Sequence, residues 1–177
     1  VQHGFRVGLI AQPEVDSPNG ITRLGEPDLF FAISGGCVDS MVANYTATKK
    51  RRQQDDFTPG GLNDRRPDRA VLVYSNMIRR FFKGTQKKIV ISGIESSLRR
   101  ITHYDYWSNK LRKPILFDAK ADILSYGMGE MSMLALARAL RHGKDWKDIR
   151  GLSYISREPR EDYLNLPSHA ECLESKD

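Results

Sequence analysis

From Gly93 to Trp107 the chain reads GIESSLRRITHYDYW, a stretch crowded with side chains capable of chemistry. The Glu95 carboxylate suits an adenosine or ribose hydroxyl, or an arginine partner. Arg99 and Arg100 carry planar donor forks that hold carboxylates and phosphates in bidentate fashion. His103 titrates near neutral pH and is the candidate catalytic acid or base of the set. Tyr104, Asp105 and Trp107 complete these candidate substrate contacts. Each has a structural alternative. The arginines can pair with acids of their own domain, and His103 can bond to Asp105 and simply shape its loop.

Two further blocks carry candidate ligand contacts. From Tyr45 to Arg69 the sequence is YTATKKRRQQDDFTPGGLNDRRPDR, and its middle has neither helical nor strand periodicity. A patternless loop of this length in a compact domain is usually functional or disordered. Thr58-Pro59-Gly60-Gly61 demands a tight turn, because proline fixes φ and either glycine can take a positive φ. With Tyr45 and Phe57 beside it, the block reads as a folded lid. Its candidate contacts are Tyr45, Lys49, Arg52, Thr58, Gly60, Gly61, Arg66 and Asp68. The third block is YGMGE, Tyr126 to Glu130. Gly127 and Gly129 permit close backbone approach, and Glu130 can either cap the following helix or touch a ligand.

The elements that position these blocks are short and alternate in type. Phe5 to Ala11, Leu29 to Ile33, Lys88 to Ser92 and Ala121 to Ser125 read as buried strands, and Leu152 to Ile155 as an edge strand. Val38 to Asn44 reads as a short helix, and Asp68 is placed to cap a helix running to Phe82. Met131 to Leu140 is a further helix with Gly143 as its stop. Glu95 to Trp107 is expected as a strand-end loop, since the carboxyl ends of strands in open α/β sheets are where ligands bind. Cys37 is expected to be a small buried residue near a strand end, and Cys172 to sit in a mobile tail. Alternating strands and helices predict one α/β domain, 1–157, with a mostly parallel sheet; 158–177 reads as a linker or tail.

Composition excludes several classes. The chain has 177 residues, 40% hydrophobic and 9% aromatic, enough for a real core. It lacks any apolar run of the length a membrane helix requires, so no membrane partner is expected. Two distant cysteines fit a reducing cytoplasm better than a disulfide scaffold. A formal net charge of +6 favours anionic partners, whether an anionic substrate or nucleic acid. Basic residues interleaved with Tyr104, Tyr106 and Trp107 make an RNA-binding module the second reading. The sequence contains no metal-binding motif such as H-E-x-x-H or a Cys/His cluster, and no G-x-S-x-G.

The strings DSMVANYTATKKRRQQDDFTPGG, RPDRA, GIESSLRRITHYDYW and YGMGE, in this order, resemble the N-terminal region of YgiQ-type radical SAM proteins from Phe5 to about Gly151. The resemblance implies a three-layer Rossmann-like domain, similar to cobalamin-binding and flavodoxin-like domains. It also implies a parent enzyme that cleaves S-adenosylmethionine at a [4Fe–4S] cluster. Such a cluster is held by cysteine thiolates, spaced C-x3-C-x2-C in the resembled family. Cys37 and Cys172 cannot supply that pattern, so no cofactor is expected on this chain itself. None of His3, His103, His142 or His169 lies in the D-x-H-x-x-G pattern of a cobalt ligand. The chain therefore reads as an internal piece of a larger enzyme. Its expected role is to cover the downstream barrel and supply substrate contacts.

Overall fold

Three apolar segments pair in parallel at the centre of the computed structural model, which describes residues 1–175. In chain order the elements are α1 (Pro18–Thr22), β1 (Phe30–Ser34), α2 (Ser40–Asn44), α3 (Ala70–Phe81), β2 (Lys88–Ser92), α4 (Gly93–Leu98) and β3 (His103–Asp105). There follow β4 (Lys110–Arg112), α5 (Ile115–Ala119), β5 (Ile123–Ser125), α6 (Glu130–Arg141), β6 (Leu152–Tyr154) and α7 (His169–Glu174). The main sheet has the order β1-β2-β5-β6, with β6 antiparallel at one edge; β3 and β4 form a separate hairpin.

The pleat sorts the sheet's side chains into two cores. Ile33, Ile89, Ile91 and Leu124 face one side and pack with Val71, Met77, Ile78, Ile115 and Leu116 of α3 and α5. Val90 and Ile123 face the other, where Leu136 of α6, Trp146 and Leu152 close over them. Burial on both faces is why the strands read as unbroken apolar runs rather than alternating ones. The result is a three-layer, mostly parallel α/β domain of Rossmann-like type.

Several expectations need correction. Phe5 to Ala11 is not a strand, and Leu9 is 81% exposed. Apolar content shows that a segment can pair but supplies no partner; here Gly4 and Phe5 are held instead by Arg141, whose guanidinium lies 3.9 Å from the Phe5 ring centroid. Glu95 to Trp107 is not a loop, because it contains most of α4 and all of β3. Asp68 does not cap α3: Arg69 at φ 52° intervenes, and Asp68 turns to Asn44 and Tyr45. Cys37 is exposed. The tail carries α7, which starts at a Ser168–Glu171 capping box and includes Cys172. The last two residues of the expected tail lie outside the described residues.

Candidate functional site

The strand order follows chain order, so the described sheet has no reversal and no switch-point crevice. What its carboxyl end has is tight polar packing. Gly93 adopts φ +82°, and a Cβ there would stand 2.7 Å from Ser34 Oγ, so glycine alone lets α4 begin directly off β2. Glu95 is then carried inside the domain, where it is only 2% exposed. Its Oε2 accepts from the Ser40 N–H at 3.0 Å and its Oε1 from the Val71 N–H at 3.2 Å. One carboxylate thus satisfies the first turns of both α2 and α3, where orphan amide donors favour an anion. Ser40 Oγ takes the neighbouring Ala70 N–H at 3.0 Å.

The two adjacent arginines part company. Arg99 donates to Asp39, itself the N-cap of α2, and to the Glu95 carbonyl at 3.0 Å. Arg100 stays at the surface, bonded to the Ser97 carbonyl at 2.9 Å, with its guanidinium 5.3 Å from the Tyr126 ring centroid. Gly127 N–H donates to Ser97 Oγ at 3.2 Å, which joins α4 to the YGMGE loop. A Cβ on Gly129 would stand 2.9 Å from Ser125 Oγ, so this glycine is needed for packing. Glu130 is the exposed first residue of α6 and makes no side-chain cap bond.

The lid is built around buried polar groups. Asp55 accepts from Thr58, from the Phe57 N–H at 3.1 Å and from Arg66, which is itself buried. Burial pushes the Asp55 carboxyl up, but these donors outweigh it and hold it below the usual carboxylate range. Gly60 and Gly61, at φ +89° and +73°, complete the turn. Arg52 donates to the Val42 and Tyr45 carbonyls, and Asn63 to those of Asn44 and Arg52. Tyr45 donates to Asp68 at 2.7 Å, a bond that raises its phenol above the ordinary value.

Lid and hairpin are joined directly. Arg69 reaches Asp105 at 2.6 Å, and Asp105 also accepts from Ser108. Burial pushes the Asp105 carboxyl up, yet the bonds from Ser108 and Arg69 bring it below its ordinary value. Lys49 donates to the carbonyls of Tyr106 and Trp107, and Tyr106 donates to the Ala47 carbonyl at 2.8 Å. The Tyr45 and Trp107 rings lie 5.1 Å apart.

His103 does not bond to Asp105. Its Nδ1 lies 3.1 Å from the Ile101 carbonyl. Burial lowers its pKa, assisted by Arg99 and Arg112 and opposed by the Ile101 bond and Asp105. Leu98, Arg99, His103, Tyr104, Asp105, Tyr106 and Trp107 line a recess of about 200 Å³. Tyr104 is half-exposed on its rim.

The structure therefore brings Tyr45, Lys49, Asp68, Asp105 and Trp107 into one joined unit. It keeps Arg66 and Glu95 inside, and leaves Arg100 and Glu130 exposed. Sequence reasoning missed Asp39, Ser40, Asn44, Asp55 and Arg69 as organisers of the site. Asp39 had a legible signal, an Asp directly before a short apolar helix. Asp55 had one too, an Asp set two and three residues before the Phe57 N–H and the Thr58 hydroxyl that it accepts from, whereas Ser40, Asn44 and Arg69 find their partners far along the chain.

The Radical SAM N-terminal family matches residues 1–177. A UPF0313 protein of Fusobacterium nucleatum is 83% identical over the whole chain, which covers 31% of that protein. A UPF0313 protein of Thermotoga maritima is 51% identical over 99% of the chain and 31% of its own length. One from Methanocaldococcus jannaschii is 47% identical over the whole chain and 30% of its own length. The chain thus spans about a third of the curated relatives it matches. No solved structure matches it significantly.

Proposed function

This chain belongs to the Radical SAM N-terminal family, and on that premise we propose that it covers the active site of the rest of its protein and lends substrate contacts from its lid and hairpin. The family implies a [4Fe–4S] cluster and S-adenosylmethionine in the parent enzyme. The residues of this chain do not fit the cluster. They include only two cysteines, and the described residues hold no group of three side chains able to share a metal ion. The chain's contribution is therefore to bind, orient and exclude water, which is what a protein supplies around cofactor chemistry.

One observation carries the docking reading. Ile94 and Leu98, one helical turn apart on α4, are exposed together with Met128 and Met131, and Met128 is 87% exposed. Large apolar side chains grouped at the carboxyl end of a sheet mark an interaction surface rather than ordinary scatter. Arg100 stands beside them as the contact for an anionic substrate. In the full-length protein, amide exchange at 93–101 and 126–131 should be slow. Leu98→Glu with Met128→Glu should speed it and impair turnover while leaving the domain's own melting transition in place. Unchanged exchange in that double variant would count against docking.

The rival reading, RNA binding, has less support from the same geometry. Lys49 is committed to two carbonyls and Trp107 lies against Tyr45. RNA affinity falling steeply between 50 and 200 mM salt would revive it, since released counterions govern such binding.

A further inference from the structure

We propose that the recess beneath the β3–β4 hairpin binds a neutral aromatic ring carrying one O–H or N–H donor, and that this donor bonds to His103 Nε2. The proposal deepens the substrate-contact reading and rests on it only for placing the recess on the working face. Charge pairing among the surrounding groups defines the ligand. Arg99 is paired with Asp39 and Asp105 with Arg69, so the walls carry no unpaired charge to draw an ionic ligand. The Tyr104 hydroxyl donates to Asn109 at 2.6 Å and that of Tyr106 to Ala47, which leaves those side chains to offer ring faces rather than donors. Leu98 and Trp107 add apolar wall.

His103 adds an imidazole acceptor. A carbonyl only accepts, so the 3.1 Å contact with Ile101 requires that His103 Nδ1 carry the proton. Nε2 is then a bare acceptor, and among the described residues it has no protein partner. Burial and the nearby guanidiniums keep the ring neutral and so preserve that lone pair. The volume of about 200 Å³ lies below the roughly 300 Å³ at which drug-sized pockets begin, and it suits one ring rather than a nucleotide. The hairpin is already pinned by Arg69, Lys49 and Tyr106, so little ordering accompanies binding.

The test is an NMR titration of the chain with phenol, anisole and benzoate, following the resonances of residues 98–107. Phenol should perturb this stretch selectively. Anisole, the same ring without the donor, should bind about fivefold more weakly, the loss of one hydrogen bond. Benzoate should not bind more tightly than phenol. His103→Phe should abolish the preference for phenol over anisole, and His103→Gln, which restores an acceptor near the Nε2 position, should recover part of it. Equal affinity for phenol and anisole, or shifts scattered outside the recess, would overturn the proposal. The wild-type comparison decides the matter even where a His103 variant fails to fold, and none of these outcomes depends on docking. In the full-length protein, retained phenol binding identifies a free small molecule as the occupant. Loss of it shows that the rest of the protein covers the recess.

Discussion

Arg69 and Asp105 meet at 2.6 Å, and this pair fastens the basic lid to the aromatic hairpin. Asp105 is 4% exposed, so removing its partner strands a buried charge. Arg69→Met should cost about 3 kcal/mol, the lower end for breaking such a pair. Asp105→Asn combined with Arg69→Met should recover part of that loss. Urea denaturation of Arg69→Met, Asp105→Asn and the double variant provides the check, and strict additivity would mean that the two residues do not interact.

Glu95 should be the most sensitive position of the carboxyl crest. Glu95→Ala leaves the Ser40 and Val71 N–H groups without their acceptor, a loss of about 2–5 kcal/mol for two buried donors. Glu95→Gln keeps one oxygen and should lose about half as much. Gly35→Ala should be damaging for a related reason. Its Cβ would stand 2.5 Å from Glu95 Oε2, an atom that Ser40 holds in place. Thermal melts of the three variants should rank in that light, with Glu95→Gln the mildest of the Glu95 pair.

Acid should loosen the lid before the core. Asp55 and Asp105 are both held below their ordinary values, so the folded state binds their protons less readily than the unfolded chain does. Their stabilising contribution is fully present above the unfolded carboxylate value near 4 and is lost as pH falls through the folded values. Amides of residues 52–66 and 103–110 should lose exchange protection below about pH 4 while β2 remains protected. A single transition that melts lid and core together would contradict this order.

His103 produces a second acid limb at higher pH. Its folded value is lowered, so the neutral form is favoured by folding, and its contribution is lost as pH falls below about 6.5. His103→Gln should flatten the stability profile as pH falls below about 6.5 and leave the carboxylate limb unchanged. Denaturation midpoints measured across that range check it.

The tail should act as a brace for the hairpin. Residues of α7 lie against β4, and His169 Nδ1 is 3.4 Å from Thr102 Oγ1. Truncation after Pro167 should raise amide exchange in β3 and β4 with little effect on β5. Unchanged exchange there would show the contact to be incidental.

Local residue types were enough to read the parallel strands β1, β2 and β5, the amphipathic helices α3 and α6, and the Thr58-Pro59-Gly60-Gly61 turn. Each depends on periodicity or on backbone freedom set within a few residues. The family, too, was legible, because long ordered strings such as RPDRA and GIESSLRRITHYDYW are specific in themselves. The sequence alone could not tell that Glu95 faces two helix ends rather than a ligand. Nor could it tell that Arg99 is spent on Asp39, that Arg69 bridges to Asp105, or that FRVGLIA finds no strand to pair with. Those outcomes depend on which distant groups share a buried space, and burial and pairing with remote partners are properties of the folded chain. Only the tertiary structure decided which of the charged residues became the frame of the carboxyl end and which were left facing outward.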